Sequence, residues 1–227
     1  MPARRLIFPM VLGFGGLAIL LALGFWQLQR LEWKTGILRE IEAVIAGPTV
    51  PLPDAPTAGQ HRYLPVALSG RLTGQALPVL TSRKGQGPGY RLIAAFETET
   101  GRRLLLDRGF LPEARLAGYV APEGLLRLRG NLYWPDETDR FTPPPDPARG
   151  IWFARDVATM ARALGTEPVM VVVAAAEPDD PLVTPLPVDT ARIPNDHLQY
   201  AVTWFLLAAA WAGMTGLLLW RIRQRQP

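Results

Sequence analysis

Two long stretches of the chain are apolar at nearly every position and contain no charged residue. They cover residues 6–28 and 200–220. At about 1.5 Å of rise per helical residue, each is long enough to cross a hydrocarbon layer about 30 Å thick. A helix also satisfies its own backbone hydrogen bonds, which lipid cannot do. The pattern therefore predicts two transmembrane helices.

The first stretch lies close to the N-terminus, so a cleaved signal peptide is an alternative interpretation. Arg4 and Arg5 precede it, and residues 22–24 (Ala-Leu-Gly) resemble a small-residue cleavage site. The apolar core of a signal peptide is usually about 7–15 residues long. Because this stretch is much longer, we favour an uncleaved span.

Between the two stretches the hydrophobic pattern changes. Residues 31–46 carry apolar side chains at near-helical spacing until Gly47-Pro48, which predicts an amphipathic helix. A proline-rich linker and a series of short strand-like segments follow. The predicted strands are residues 62–72, 76–83, 89–99, 102–112, 125–133, 151–156 and 168–177. A short helix is predicted at 156–165, with Asp156 as its N-cap and Gly165 as its stop.

Together these elements predict an α+β membrane protein. Two transmembrane helices flank a small antiparallel β domain, barrel-like or sandwich-like, with short helices. The predicted layout places the N-terminus and first span in residues 1–30, an external domain in residues 31–196, and the second span with a basic tail in residues 197–227.

Basic residues next to the spans predict the orientation, because such residues are enriched on the cytoplasmic side. Five arginines at the ends of the chain favour cytoplasmic termini: Arg4, Arg5, Arg221, Arg223 and Arg225. Arg30 and Lys34, which follow the first span, favour the opposite orientation. On balance we predict a multi-pass protein of the bacterial inner membrane with both termini in the cytoplasm. The central domain then lies in the periplasm, or in the intermembrane space if the membrane is mitochondrial.

Composition narrows the chemistry. The chain has no cysteine and two histidines, which excludes disulfides, thiolate metal sites and a histidine-rich metal centre. No phosphate-binding, serine-hydrolase or zinc-protease motif is present, so we predict no enzyme. The net charge of +4 comes largely from the membrane flanks, and no nucleic-acid partner is predicted. We interpret residues 85–90 as a glycine-rich turn and not a phosphate cradle. The acidic groups Asp179-Asp180 and Asp136/Glu137/Asp139 are interpreted as solvated loops, with weak cation binding as the alternative.

A group of unusual side chains marks the outer ends of both spans. His197, Tyr200 and Trp204 share one helix face by their spacing, and Trp26 and Arg30 end the first span. Small residues recur every four positions along each span, at Ala18 and Ala22 and at Ala208, Ala212 and Gly216. Such rows let helices approach closely, so we predict that the spans pack through them and bring these five residues together. The alternative is a set of interfacial anchors around a histidine that only orients the second helix.

Five stretches, in this order, resemble the Surfeit locus protein 1 family of cytochrome c oxidase assembly factors. They are LGFWQLQRLEWK, PGYRLIAAFETETGRRLLLDRGFLPEAR, LRGNLY, IWFARDVATMARALG and NDHLQYAVTWF. Each stretch alone is moderately specific, and the ordered set, placed between two spans, is highly specific. One departure is Asp196, where many relatives resemble N-N-H-L.

The resemblance implies a protein that helps to mature the respiratory chain, by delivering haem a to oxidase subunit I or assisting its insertion. His197 is then the iron ligand, with haem a as transient cargo. Trp26 and Arg30 become walls of the haem site, with Arg30 facing a propionate, and Tyr200 and Trp204 match the motif. The partners implied are subunit I, other oxidase subunits or a haem a synthase, and membrane lipid.

Two alternative functions stay open at this point. The protein is a scaffold that stabilises a subunit I intermediate without binding haem, or a two-span envelope sensor, although little chain remains on the cytoplasmic side for a signalling domain. The other histidine of the chain, His61 in the proline-rich region, is a candidate for a second iron ligand beside His197. Arg108, which lies in a predicted strand, is expected to pair with a carboxylate across the sheet and to be architectural.

Overall fold

The computed structural model describes residues 3–146, 150–191 and 193–224, with side chains from Ile7 onward. Arg225 and residues 147–149 lie outside these residues, as do the side chains of Arg4 and Arg5. The chain divides into two units. One contains the residues up to Glu40 and those from Thr190 onward, and the other is Ile41–Asp189.

Within the described residues the elements follow in this order: α1 Ala3–Ile45, α2 Ala58–His61, β1 Pro65–Arg83, β2 Gly87–Thr98, β3 Arg103–Pro112, α3 Glu113–Leu116, β4 Leu126–Leu132, α4 Val157–Leu164, β5 Met170–Glu177 and α5 His197–Gln224. Helices α1 and α5 contain the segments Ile7–Ile45 and His197–Gln224, which are long and apolar enough to cross a membrane.

The predicted amphipathic helix at 31–46 is not a separate element. It continues α1, which runs without interruption to Ile45. The reason is local, because no proline stands between Pro9 and Pro48, and Gly36 alone does not end a helix. The stop predicted at Gly47-Pro48 is confirmed.

Helices α1 and α5 run antiparallel and pack closely. A Cβ added at any of three α1 glycines would stand 2.2–2.7 Å from an α5 side chain: Gly13 against Thr215, Gly16 against Trp211 and Gly24 against Phe205. The indole of Trp211 also donates a hydrogen bond to the Gly13 carbonyl, at 2.9 Å.

The prediction that the two helices pack through rows of small residues is mostly wrong. Ala208 is buried, but Ala18, Ala22 and Ala212 are exposed, and a Cβ added at Gly216 would have nothing within 4 Å. A row of every fourth residue drifts around a helix of 3.6 residues per turn. The contact face instead alternates steps of three and four residues, as the α5 series Ala201, Trp204, Ala208, Trp211 and Thr215 illustrates.

The five strands form one sheet that closes on itself in the order β1-β2-β3-β5-β4. Four of the five pairings are antiparallel, and β3 pairs with β5 in parallel. The predicted antiparallel pairing is thus confirmed for four pairs, and the parallel β3–β5 pair is the exception. A closed ring with an odd number of strands cannot alternate direction throughout, so one parallel pair is required.

Two of the seven predicted strands are absent as separate elements. Segments 62–72 and 76–83 form the single strand β1, which has an irregularity between Leu72 and Ala76. Segment 151–156 forms only isolated bridges, such as Trp152 with Val79. The two segments were predicted as separate strands, but both halves of β1 pair with the same neighbour, β2.

The core of this unit has two sides because β3 is buried on both faces. Leu104 and Leu106 point into the closed sheet among residues such as Phe96 and Val171. Leu105 points outward, under α4. Helix α4 begins and ends as predicted, since the Asp156 carboxylate accepts hydrogen bonds from two backbone amides and Gly165 has a left-handed conformation.

Candidate functional site

The first polar site lies where α1 and α5 meet, at the first residue of α5. The Nδ1 atom of His197 is 2.8 Å from the amide oxygen of Gln27 on α1. The imidazole is partly exposed. The sequence predicts His197 as a site residue but does not single out Gln27, although a side-chain amide inside an uncharged apolar stretch is a signal in its own right.

Two more polar residues of the same unit meet each other further along α1 and were also missed. The side-chain amide of Asn195 reaches the Thr35 hydroxyl at 3.5 Å. The Asn195 oxygen Oδ1 is buried, and none of the described residues donates a hydrogen bond to it. Buried polar atoms are usually satisfied, often by water, so this oxygen, two residues before His197 in the chain, is an available acceptor.

On α1, the predicted residues Trp26 and Arg30 flank Gln27. Successive helical residues are about 100° apart, so Trp26 and Arg30 lie at about 100° and 60° from Gln27 in the same rotational sense. They therefore share one side of the helix pair, which we call the Trp26 flank. Trp26 is 51% exposed, and the Arg30 guanidinium stacks at 4.1 Å from the ring centre of Trp33.

On α5, the same reasoning places Tyr200 and Trp204 at about 60° and 20° from His197. Because α5 runs opposite to α1, this rotation also directs them toward the Trp26 flank. Tyr200 is 55% exposed, and Trp204 is partly buried toward α1. Phe205 points to the other flank, where its ring meets that of Phe25 at 5.3 Å.

His61 belongs to the other unit and has the opposite hydrogen bonding. Its Nδ1 accepts a hydrogen bond from the backbone amide of Thr57, at 3.1 Å. A neutral imidazole that accepts at Nδ1 carries its proton on Nε2. Neither ring nitrogen then offers a free lone pair, which argues against His61 as a second iron ligand.

The second polar site is built around Asp107, whose side chain is fully buried. One carboxylate oxygen of Asp107 accepts hydrogen bonds from Arg91 at 2.5 Å and from Arg155 at 2.8 Å. Arg155 also pairs with Glu137 through its guanidinium and its backbone amide. Burial alone would raise the pKa of Glu137, but the hydrogen bonds and charge of Arg155 outweigh it and hold that pKa below its usual value.

A third cluster joins β3 to the loop after β5. Arg108 pairs with Asp180 at 2.6 Å, and the Tyr119 hydroxyl donates to the same carboxylate oxygen at 2.6 Å while contacting Arg108. Burial, together with the hydrogen bond to Asp180, raises the pKa of Tyr119 to about 12. The phenol therefore remains protonated at neutral pH.

These contacts correct two predictions. Asp180 and Glu137, interpreted above as solvated loop carboxylates, are each the partner of an arginine, and the Glu137 side chain is still 33% exposed. Arg108 does pair with a carboxylate, but that carboxylate lies in the loop after β5 and not across the sheet. Local sequence patterns could not predict these ion pairs, because the partners are far apart in the chain. For example, 72 residues separate Arg108 from Asp180.

The backbone at Gly109 completes the junction. Gly109 has a positive φ of 108° and lies in a bulge of β3 opposite β2. A Cβ at this position would stand 2.2 Å from the Thr184 carbonyl oxygen. The next residue, Phe110, exchanges two backbone hydrogen bonds of 2.8 Å with Thr184. Each residue of the Asp-Arg-Gly-Phe segment is thus engaged in holding the fold.

Arg108→Ala is expected to loosen the loop after β5, because it leaves the Asp180 carboxylate partly buried without its cation. We expect a loss of roughly 1.5–3 kcal/mol in the free energy of unfolding. Faster amide hydrogen exchange across residues 178–186 is the local measurement. Arg115→Ala, at an exposed position in α3, is the matched control. If Arg108→Ala left stability and loop protection unchanged but stopped oxidase assembly, Arg108 would be functional and not architectural.

Among the described residues, no group of three or more histidine, cysteine, aspartate or glutamate side chains is arranged to hold a metal ion.

Comparison with known proteins agrees with the motifs. Residues 15–209 match the profile of the SURF1 family. The human Surfeit locus protein 1 is 32% identical over 214 residues, covering 83% of this chain and 70% of the human protein. Surfeit locus protein 1 of Xenopus tropicalis is 29% identical, covering 83% and 68%. A SURF1-like protein of Monosiga brevicollis is 31% identical, covering 82% and 78%.

Proposed function

The chain belongs to the SURF1 family, which implies a role in cytochrome c oxidase assembly, and from this premise we propose that it carries haem a to oxidase subunit I. His197 is the protein ligand to the iron, and haem a is cargo that leaves with the subunit. The protein itself performs no catalysis in this scheme.

The observation that carries the proposal is the arrangement around His197. The imidazole is partly exposed at the start of α5. The rotation of about 100° per helical residue places aromatic side chains and Arg30 on one flank of the helix pair. Trp26 and Tyr200 are both about half exposed. Large aromatic faces left open beside an accessible imidazole fit a flat apolar ligand better than they fit a closed helix contact.

The residues present match the chemistry of haem a. Its macrocycle and isoprenoid tail are apolar, and the aromatic side chains of the Trp26 flank suit the ring. A propionate is an anion, for which the guanidinium of Arg30 is a suitable partner. At roughly 0.8 kcal/mol per buried CH₂ group, the tail favours a lipid environment.

The membrane supplies that environment in the proposal. Helices α1 and α5 cross the inner membrane of a bacterium, with both termini in the cytoplasm and the β domain in the periplasm. The outer ends of the helices then place His197 near the surface of the bilayer, where propionates meet water and the tail meets lipid. Subunit I, other oxidase subunits or a haem a synthase are the partners expected at this surface.

His197→Ala is expected to abolish or shift the haem spectrum of the protein. The measurement is an optical spectrum of the detergent-purified full chain, produced in cells that make haem a. His61→Ala is the matched control and should retain the parental spectrum, because the His61 ring is engaged with Thr57. A parent without haem, or an unchanged His197→Ala spectrum, would overturn the haem-carrier proposal and favour a haem-free scaffold for subunit I.

A further inference from the structure

We infer that Gln27 is a positioning residue that holds His197 as the Nδ1–H tautomer and thereby presents Nε2 as the ligand atom. This inference deepens the proposed function and rests on it for the identity of the ligand. The tautomer itself can be tested without any haem.

The atoms that meet between Gln27 and His197 determine which ring nitrogen carries the proton. The atom of Gln27 that meets His197 is the amide oxygen, at 2.8 Å from Nδ1. An amide oxygen only accepts, so Nδ1 must donate and carry the ring proton. In the neutral ring the lone pair then lies on Nε2. The described residues place no hydrogen-bond partner on Nε2, so this atom is free to coordinate iron.

The contact joins two helices that pack closely. Gln27 and His197 come from different helices and are 170 residues apart in the chain. One turn before Gln27, Gly24 lets the two helices approach so closely that a Cβ would stand 2.7 Å from the Phe205 ring. The close packing of the two helices therefore brings the Gln27 amide within hydrogen-bond distance of the His197 imidazole.

The group that accepts the proton of His197 is a neutral amide. A histidine ligand commonly donates its other N–H to a carboxylate, carbonyl or water, which orients the ring and raises its basicity. A neutral amide oxygen attracts the proton less strongly than a carboxylate does. Gln27 thus orients the ligand while increasing its donor strength only modestly, which suits a carrier that must release its iron.

The haem-free test is ¹⁵N NMR of histidine-labelled full-length protein in detergent, well above the ordinary imidazole pKa of about 6.5. The chain has only two histidines, and they should differ, His197 as the Nδ1–H tautomer and His61 as the Nε2–H tautomer. His61→Ala assigns the signals. In Gln27→Met the Nδ1–H preference of His197 should be lost. Gln29→Met, at an exposed position two residues along the same helix, should preserve it.

A parent His197 with its proton on Nε2, or an unchanged tautomer in Gln27→Met, overturns the inference whatever the haem content is. The haem measurement is a titration with haem a, followed by resonance Raman spectroscopy of the iron–histidine stretch. Gln27→Met should weaken binding by about 10–100-fold and lower the stretching frequency. Gln27→Glu should restore binding and raise that frequency, because the carboxylate accepts more strongly.

The two ideas fail separately. If Gln27→Met changes the tautomer but the parent binds no haem a, the positioning role of Gln27 stands and the haem-carrier proposal falls. If the parent binds haem a and Gln27→Met leaves both affinity and stretching frequency unchanged, the haem-carrier proposal stands and Gln27 has no role at the iron.

Discussion

Replacing Asp107 with asparagine is expected to lower the free energy of unfolding by about 3–5 kcal/mol. The carboxylate of Asp107 is fully buried and pairs with Arg91 and Arg155, whose side chains are also largely buried. Asparagine keeps the shape but removes the charge, and its NH₂ group competes with the guanidinium donors. Of the two acids that contact Arg91 or Arg155 among the described residues, Glu137 alone then keeps its charge, so the variant carries an uncompensated buried cation.

The measurement is chemical unfolding of the full chain in detergent, followed by tryptophan fluorescence. Asp139→Asn is the matched control, because Asp139 is an exposed acid that contacts only its own loop, at Phe141 and Thr142. The control should unfold like the parent. An Asp107→Asn variant within about 1 kcal/mol of the parent would mean that the cluster behaves like a surface ion pair.

Gly109→Ala is the second change with a large expected effect, a loss of roughly 2–5 kcal/mol. About 1–2 kcal/mol comes from placing a Cβ on a left-handed backbone. A further 1–3 kcal/mol comes from overpacking, since the Cβ would stand 2.2 Å from the Thr184 oxygen and push apart the backbone pair between Phe110 and Thr184.

Gly101→Ala separates these two causes. Gly101 also has a positive φ, of 81°, but nothing lies within 4 Å of its added Cβ. It should show only the backbone cost. Thermal or chemical unfolding of both variants side by side is the measurement. Equal losses for Gly101→Ala and Gly109→Ala would show that the close approach of Thr184 contributes nothing.

Both stability variants also bear on function. They lie in the β domain and should reduce oxidase assembly only as far as they reduce the amount of folded protein. His197→Ala should instead leave the protein level unchanged and reduce haem content. Protein abundance measured beside haem content therefore separates damage to the fold from damage to the proposed site.

Local sequence patterns predicted the parts of this protein whose causes are local. Uncharged apolar runs identified the two long helices, and the capping residues Asp156 and Gly165 identified both ends of α4. Four strands, β2 to β5, followed from clusters of strand-forming residues between turns. Helical spacing also placed His197 and Tyr200 on one face, because a helix phase depends only on the separation in sequence.

The tertiary structure decided what depends on distant partners. Gln27 meets His197, Arg108 meets Asp180, and Asp107 gathers Arg91 and Arg155, all across separations that no local pattern records. Closure of five strands required a parallel pair, which follows from strand number and not from any residue. Periodicity along the chain determines which side of an element is apolar, whereas packing between elements determines which polar groups meet on the other side.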